Sequence, residues 1–164
     1  MNIEKIFDKA NWQKIEISQP VYKDFSKKIS NKPGLYMIFS NVPANELKDI
    51  GTLEIKGSYN IPNRVIDFEG IPKSLVISQD KDELYCVYIG HQKNLRQRCK
   101  EHFNGSKGTA CLSLFNYSKL RNYKWEFHYF ELSNLDGYVD SKLHRNILES
   151  HLRVKFGWPC LCME

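Results

Sequence analysis

Residues 84–102 read LYCVYIGHQKNLRQRCKEH, an apolar run that leads through a glycine into a basic, amphipathic run. Residues 84–89 are short, apolar and aromatic, which predicts a buried strand that ends at Gly90. Asn94 is a residue type that caps helices, so we expect a helix from there to about Phe103. This segment decides the fold, because a strand that leads directly into a helix indicates a mixed α+β domain.

The polar residues of this stretch are not needed to bury an apolar strand. Arg98 and His102 are four residues apart and share one face of the predicted helix. Tyr88 lies near the end of the preceding strand, so the three side chains can meet where strand and helix join. Arg98 would then bind a phosphodiester, and His102 or Tyr88 would assist deprotonation. The alternative is a core tyrosine beside a solvated helix face, and spacing alone leaves both interpretations open.

The remaining elements are predicted from apolar periodicity and from residues that cap or break helices. Residues 1–31 predict an N-terminal helical segment with two helices, at residues 3–14 and 20–29. Strands are predicted at residues 35–40 and 123–132, because both runs are apolar and aromatic. A further helix is predicted at residues 111–120.

Residues 41–83 differ from their surroundings, with three glycines and three prolines among short β-like runs at residues 52–55, 64–68 and 74–77. This predicts a β-rich insertion without helices. The whole chain, residues 1–164, is then expected to form a single α+β domain. Its sheet would be antiparallel or mixed, with about three core strands flanked by helices.

A last helix is predicted after Asp140 or Ser141, either of which can cap it. Glu149 lies on this helix with an arginine four residues to each side, a spacing that also produces ordinary surface ion pairs. The apolar face of the helix is expected to consist of Leu143, Ile147, Leu148 and Leu152.

The positive charge of the chain is concentrated in one segment. Residues 86–130 contain eight Lys/Arg and two acidic residues, whereas the rest contains 16 basic and 17 acidic residues. A concentrated basic segment favours a polyanionic partner, nucleic acid first. The alternative is a soluble basic face without a partner.

No apolar run approaches the roughly 18 residues that a membrane span needs, and the N-terminus lacks a signal-peptide core, so a cytoplasmic protein is expected. The five cysteines form no Cys-x-x-Cys pair, which disfavours a disulfide framework and a structural zinc site. Reduced, structural thiols are therefore predicted.

Residues 34–36 (GLY) and 88–90 (YIG) resemble the paired signature of the GIY-YIG endonuclease family. Arg98 follows Tyr88 by ten residues, as the catalytic arginine of the family does, and His102 stands one helical turn later. Residues 148–152 (LESHL) resemble the family's metal-binding helix.

The resemblance implies a metal-dependent DNA endonuclease. Glu149 would hold one divalent ion, Mg²⁺ with Mn²⁺ as the alternative. Arg98 would bind the non-bridging phosphate oxygens and stabilise the added charge. Tyr36, helped by His102, would be the general base for the attacking water, and Tyr88 would position phosphate or water.

Three features depart from the family pattern. The two tripeptides are usually close in sequence, whereas 51 residues lie between Tyr36 and Tyr88 here. Residues 41–83 would therefore be inserted between neighbouring strands, as are the DNA-contacting elements of restriction enzymes in the family. Cys162 stands about where the family often has an asparagine, and His91 stands where lysine or serine is usual.

A site-specific restriction-type enzyme acting on double-stranded DNA is the first functional prediction. A branched-DNA or repair nuclease, an inactive nucleic-acid-binding protein and a basic α+β protein with a chance signature are the alternatives. A palindromic cutter would need a homodimer or sequential nicking. His144 and His151 are assigned no role. Contacts to the DNA backbone are expected from Lys93, Arg96, Lys107, Lys119, Arg121 and Lys124.

Overall fold

A computed structural model describes residues 2–18, 27–54, 57–77, 84–107 and 109–162. Its centre is an antiparallel sheet of four strands in the order β1-β4-β2-β3. The strands are β1 (Gln13–Glu16), β2 (Gly34–Ser40), β3 (Tyr85–Gln92) and β4 (Trp125–Glu131). The α-helices of the described ranges are α1 (Ala44–Lys48), α2 (Ile61–Glu69), α3 (Leu95–Asn104) and α4 (Lys142–Phe156).

The two strands that carry the GLY and YIG tripeptides are neighbours, although the insertion separates them in sequence. Tyr36 of β2 lies opposite Gly90 of β3, and Ile38 lies opposite Tyr88. On its other side β2 pairs with β4, so it is buried at the centre of the sheet. The predicted strands at residues 35–40 and 123–132 and the α+β class are confirmed.

The outer edge of β3 is covered by the C-terminal segment. The Leu161 N–H donates to the Val87 carbonyl at 2.9 Å, and the Ile89 N–H donates to the Cys162 thiol sulfur at 3.2 Å. These contacts place the chain end beside the strand that carries Tyr88. They also satisfy backbone groups that an open edge would leave unpaired.

Both helices that flank the candidate site begin at a side-chain cap. The Asn94 side chain accepts a hydrogen bond from the Gln97 N–H, and the Ser141 hydroxyl accepts one from the His144 N–H. These bonds satisfy backbone donors that the first helical turn leaves free. The predicted α3 and the predicted start of α4 are confirmed.

The predicted N-terminal helix over residues 3–14 is wrong. Ile3–Ile6 and Lys9–Asn11 form short 3₁₀ turns, and the chain then enters β1. The sheet therefore has four strands rather than about three. Pairing with β4, with Ile15 opposite Phe127, outweighs the weak helical spacing of this segment. Most of the predicted helix over residues 20–29 lies outside the described residues.

The prediction of a β-rich insertion is also wrong. Residues 64–68, expected as a β-like run, lie in α2, and α1 precedes them. The Asn60 side chain caps α2, and Ile61, Arg64 and Val65 form its buried face. An apolar run this short is compatible with the period of a helix and with that of a strand. The cap and the tertiary contacts therefore decided that this segment forms a helix.

Three smaller expectations need correction. Residues 111–120 contain 3₁₀ turns instead of a regular helix, because Ser113 adopts a left-handed conformation that interrupts helical geometry. Strand β3 continues through Gly90 to Gln92, because Gly90 pairs with β2. On α4, Leu148 and Leu152 are buried, whereas Leu143 and Ile147 face solvent, so the sheet contacts a narrower face than predicted.

No helix of the described ranges has the length and apolar character needed to cross a bilayer. All five cysteines are buried and free. A single cluster of buried side chains extends from Ile6 to Cys162 and holds the sheet and its flanking elements together.

Candidate active site

A polar cleft of about 560 Å³ opens where β2, β3, α3 and α4 meet. Tyr36 and Tyr88 form its floor, Arg98 enters from α3, and Glu149 enters from α4. The sheet order and the two helix caps are therefore what bring together side chains more than 100 residues apart in sequence.

Tyr36 is held rigidly within the core, with only 1% of its surface exposed. Its ring is stacked between Tyr88 and Phe127, with centroids 6.0 and 5.2 Å away. Its hydroxyl oxygen accepts a hydrogen bond from Arg98 Nε at 3.1 Å and lies 2.8 Å from His102 Nε2.

The hydrogen bonds of His102 assign its tautomer. Its Nδ1 accepts from the Leu112 backbone N–H at 3.3 Å, so the proton of the neutral ring is on Nε2. The Nε2–H therefore donates to the Tyr36 hydroxyl. Complete burial, with the nearby Arg98 charge, holds the pKa of His102 well below its usual value, so the ring is neutral.

Two donors thus point at the Tyr36 oxygen, from Arg98 and from His102. Both lone pairs are occupied, and the phenolic proton is left to point elsewhere. Burial raises the pKa of Tyr36, and the Arg98 charge opposes that rise. Tyr36 is therefore protonated at neutral pH, in surroundings that stabilise its oxygen when negative charge develops there.

Arg98 is anchored at two points. Besides the Nε bond to Tyr36, its NH1 lies 3.2 Å from the Glu101 carboxylate, one turn away on α3. Glu101 in turn accepts from the Gln97 side chain at 3.1 Å. These bonds fix the guanidinium plane at the cleft, the preorganisation that phosphate binding needs.

Tyr88 is also nearly buried, and burial raises its pKa. Its ring centroid lies 4.9 Å from that of His102. The prediction that Tyr88, Arg98 and His102 meet where strand and helix join is confirmed in geometry. His102 lies behind Tyr36, however, and is not among the residues that line the cleft.

Glu149 faces the cleft while forming an ion pair with Arg153 one turn further along α4. Its second carboxylate oxygen lies 3.8 Å from His91 Nε2. Burial raises the pKa of Glu149, and Arg153 opposes the rise. Of the two arginines flanking it in sequence, Arg145 pairs with Asp140 instead.

A divalent ion at this cleft would be held through the single carboxylate of Glu149. His91 Nε2 contacts the Asn146 side-chain oxygen, and both residues lie beside the carboxylate. Across the described ranges, no three His, Cys, Asp or Glu side chains cluster closely enough to form a metal site. A single carboxylate leaves most coordination positions to water and phosphate, which is how Mg²⁺ is commonly bound.

The glycine of each tripeptide is required by a close approach. A Cβ on Gly90 would stand 2.5 Å from Tyr36 Cζ, because the Tyr36 ring passes directly over Gly90. A Cβ on Gly34 would stand 2.5 Å from the Phe130 carbonyl oxygen and would overlap Leu95. The glycines therefore position the tyrosine and the first turn of α3.

The cations predicted to follow the DNA backbone are mostly at the surface. Arg96 Nε donates to the Ile29 carbonyl, and Arg121 Nε donates to the Phe115 carbonyl. Neither they nor the lysines line the cleft, so a contact to DNA stays a prediction. Lys93, Lys107, Lys119, Arg121 and Lys124 are exposed, and Arg96 is partly buried.

Sequence reasoning missed the contribution of the insertion. Tyr59 lines the cleft, and Arg64 lies beside it, with its guanidinium 3.4 Å from the centre of the Tyr59 ring. Lys142 and Arg145 line the cleft from α4. No pattern in residues 41–83 marks Tyr59 and Arg64, because only the folded chain brings them to Glu149.

Three residues to which the sequence assigned no role in catalysis lie away from the cleft lining, namely Cys162, His144 and His151. The Cys162 thiol contacts the backbone N–H and carbonyl of Ile89, and burial raises its pKa to about 11. Cys162 thus supports the β3 edge instead of presenting a polar group to the cleft. His144 and His151 are exposed on α4 and bond to backbone carbonyls.

An arginine and a tyrosine fixed at one cleft, with a carboxylate opposite, are the groups expected of a phosphodiester hydrolase. Residues 34–144 match the GIY-YIG catalytic domain, which is more than half of the 164 residues, so the chain belongs to the GIY-YIG family. It is a nuclease, and DNA is the substrate class that this membership implies. No curated protein and no solved structure matches the chain.

The matched range contains Tyr36, Tyr88, Arg98 and His102 and ends before Glu149. Family membership therefore supports the enzyme class. The roles of the individual residues rest on the geometry described above.

Proposed function

We propose that the protein is a metal-dependent, site-specific endonuclease that cuts double-stranded DNA. The observation that carries this proposal is the convergence of Tyr36, Tyr88, Arg98 and Glu149 on one cleft. The helical insertion beside the cleft adds surface that a minimal catalytic domain would lack, which favours a restriction-type enzyme.

Arg98 binds the non-bridging oxygens of the scissile phosphate in this mechanism. Its guanidinium is already oriented by Tyr36 and Glu101, so little reorganisation is needed as charge develops. Tyr88 lines the same cleft and orients the phosphate or the attacking water.

Tyr36 accepts the proton of the attacking water as a phenolate, after its own phenolic proton has passed to solvent through the cleft. Because the Arg98 and His102 N–H groups point at its oxygen, negative charge on that oxygen is stabilised during the transfer. His102 acts by donating a hydrogen bond to Tyr36, since its Nδ1 is occupied by the Leu112 N–H. It is a positioning residue behind the general base.

Glu149 would hold the divalent ion, with His91 and Asn146 beside it. When bound, such an ion polarises the phosphoryl group and lowers the pKa of a coordinated water. Arg153 keeps the carboxylate oriented toward the cleft through their ion pair. We take Mg²⁺ as the physiological ion and Mn²⁺ as the alternative.

The test is plasmid cleavage with Mg²⁺ or Mn²⁺ by the wild type, by Glu149→Gln and by Glu69→Gln. Glu69 forms an exposed ion pair with Lys48 and serves as the matched control for loss of a charge. We expect discrete fragments from the wild type and from the control, and none from Glu149→Gln at unchanged thermal stability.

Other outcomes of this experiment would favour a different function or contradict the role of Glu149. Nicking or a smear from the wild type would favour a structure-selective nuclease, to be tested next on branched DNA. Tight, salt-sensitive binding without cleavage would favour an inactive DNA-binding protein. Equal cleavage by wild type and Glu149→Gln would contradict the role of Glu149.

A further inference from the structure

A second cleft adjoins the active site. Arg64 and Arg153 line it, and Tyr59, Tyr88 and Glu149 line both clefts. The two spaces are thus continuous across the residues proposed to handle the scissile phosphate. Arg98 lines the first cleft, and Arg64 lines the second.

Arg64 is a buried cation in an unusual environment, with 7% of its surface exposed. Its NH1 donates to the Leu161 carbonyl at 2.7 Å, and its guanidinium stacks on Tyr59 at 3.4 Å. Within the described residues, no carboxylate forms an ion pair with it.

A buried guanidinium without a carboxylate is costly, because one carbonyl and an aromatic face replace only part of its hydration. An anion in the second cleft would provide the missing partner. Stacking on Tyr59 fixes the guanidinium plane, and a fixed plane favours two-point contact with phosphate oxygens.

A purely structural role is the rival explanation. The bond to Leu161 links α2 to the C-terminal segment that covers the β3 edge. That role needs only one donor, however, and it does not require a charge at the wall of a cleft that contains Glu149.

We propose that Arg64, supported by Tyr59, binds the phosphate next to the scissile phosphate on the strand that is cut. The insertion thereby supplies a second phosphate site, and the substrate backbone passes from Arg98 to Arg64 across Tyr88 and Glu149. This inference rests on the proposed endonuclease function.

The test uses an oligonucleotide duplex whose cleavage position has been mapped with the wild type. A neutral methylphosphonate replaces, one at a time, the phosphates that flank the scissile one. Single-turnover cleavage is measured for the wild type, Arg64→Met and the control Lys48→Met. Lys48 is a surface cation of the same insertion that pairs with Glu69.

At one flanking position we expect the wild type and Lys48→Met to lose about ten- to hundredfold in rate, as for loss of a charge-assisted hydrogen bond. Arg64→Met should show that loss on unmodified DNA and no further loss from the methylphosphonate. If Arg64→Met keeps the full penalty at that position, or cleaves unmodified DNA like the wild type, the inference is overturned.

Two further readouts keep the test decisive. If Arg64→Met does not fold, Arg64→Gln replaces it, because a glutamine amide can still donate to the Leu161 carbonyl but carries no charge. A methylphosphonate penalty equal to that of the wild type would then contradict the inference. If the wild type cleaves the duplex at an unchanged rate with a methylphosphonate at either flanking position, the inference is overturned as well. If the wild type cleaves no DNA at all, the proposed function itself has failed.

Discussion

Tyr36 and Tyr88 are stacked neighbours, but their hydroxyl groups differ in hydrogen bonding. The Tyr36 oxygen accepts from Arg98 and His102, whereas no hydrogen bond to the Tyr88 hydroxyl is found within the described residues. Replacing each by phenylalanine should therefore separate stability from catalysis.

Tyr36→Phe leaves the buried His102 Nε2–H without an acceptor, which should lower the free energy of unfolding by about 1–3 kcal/mol. It should also lower cleavage by about 10²–10⁴-fold through loss of the general base. Tyr88→Phe should change stability by less than about 0.5 kcal/mol while still lowering cleavage. Thermal unfolding and single-turnover rates measure both effects, and equal destabilisation by the two variants would contradict the assignment.

His102 should make stability depend on pH. Its pKa is lowered in the folded state, so below the unfolded value of about 6.5 the unfolded chain binds more protons. Stability should therefore fall as pH falls below about 6.5, by up to about 1.4 kcal/mol per pH unit for this group. Denaturant unfolding from pH 8 to 5 measures the slope.

His102→Gln is the control, because an amide can accept from Leu112 and donate to Tyr36 without titrating. His91, which is partly buried, and His128, which is buried, also have lowered pKa values and remain in both proteins. The difference in slope between variant and wild type isolates His102. If the free energy of unfolding falls equally with pH in the variant and in the wild type, His102 does not titrate as inferred.

At the scale of elements, the two tripeptide glycines set how closely strands and helix approach. Gly34→Ala should destabilise the fold by about 1–3 kcal/mol, because the new methyl group meets the backbone of β4 and Leu95. Gly90→Ala should displace the Tyr36 hydroxyl and lower cleavage by more than its effect on stability explains.

Gly70→Ala is the matched control for these two changes. Gly70 ends α2 at a negative φ, and its nearest obstacle is the Asp67 carbonyl at 3.3 Å. We expect nearly unchanged melting temperature and cleavage. A Gly90→Ala enzyme with wild-type activity would show that the close approach to Tyr36 is not required.

Among the helices and strands, prediction from the sequence succeeded where the signals are local. Helix α3 was predictable because its cap, its glycine and its polar face are adjacent in sequence. Helix α2 was not, because its apolar residues are few and the glycines and prolines around it suggested turns. Strand β1 was missed because its pairing with β4 joins residues more than 100 positions apart.

At the scale of the whole molecule, the cations that line the two clefts come mainly from outside the basic segment. Arg64, Lys142, Arg145 and Arg153 lie outside residues 86–130, and Arg98 lies within them. The excess charge of the segment is instead on exposed side chains, namely its five lysines and Arg121. Charge counting thus indicated an anionic partner without locating the cleft.

The exposed lysines should act as positioning contacts. Lys107→Gln and Lys124→Gln should each weaken DNA binding to a similar extent for all sequences and reduce the slope of log affinity against log salt by about one. Lys14→Gln on β1, at the edge of the sheet opposite β3, should change neither quantity. Fluorescence anisotropy over a salt series measures this, and identical slopes for all three variants would contradict the predicted contacts.

The sequence by itself determined the strand–glycine–helix unit, the positions of Tyr36, Tyr88, Arg98 and Glu149 on their elements, and the family. Local periodicity and caps encode these features within one or two dozen residues. Only the tertiary structure decided the fourth strand, the donor role of His102 toward Tyr36, and the placement of Arg64 beside Glu149. Those depend on contacts between distant segments, whose energies are settled only when the whole core is packed.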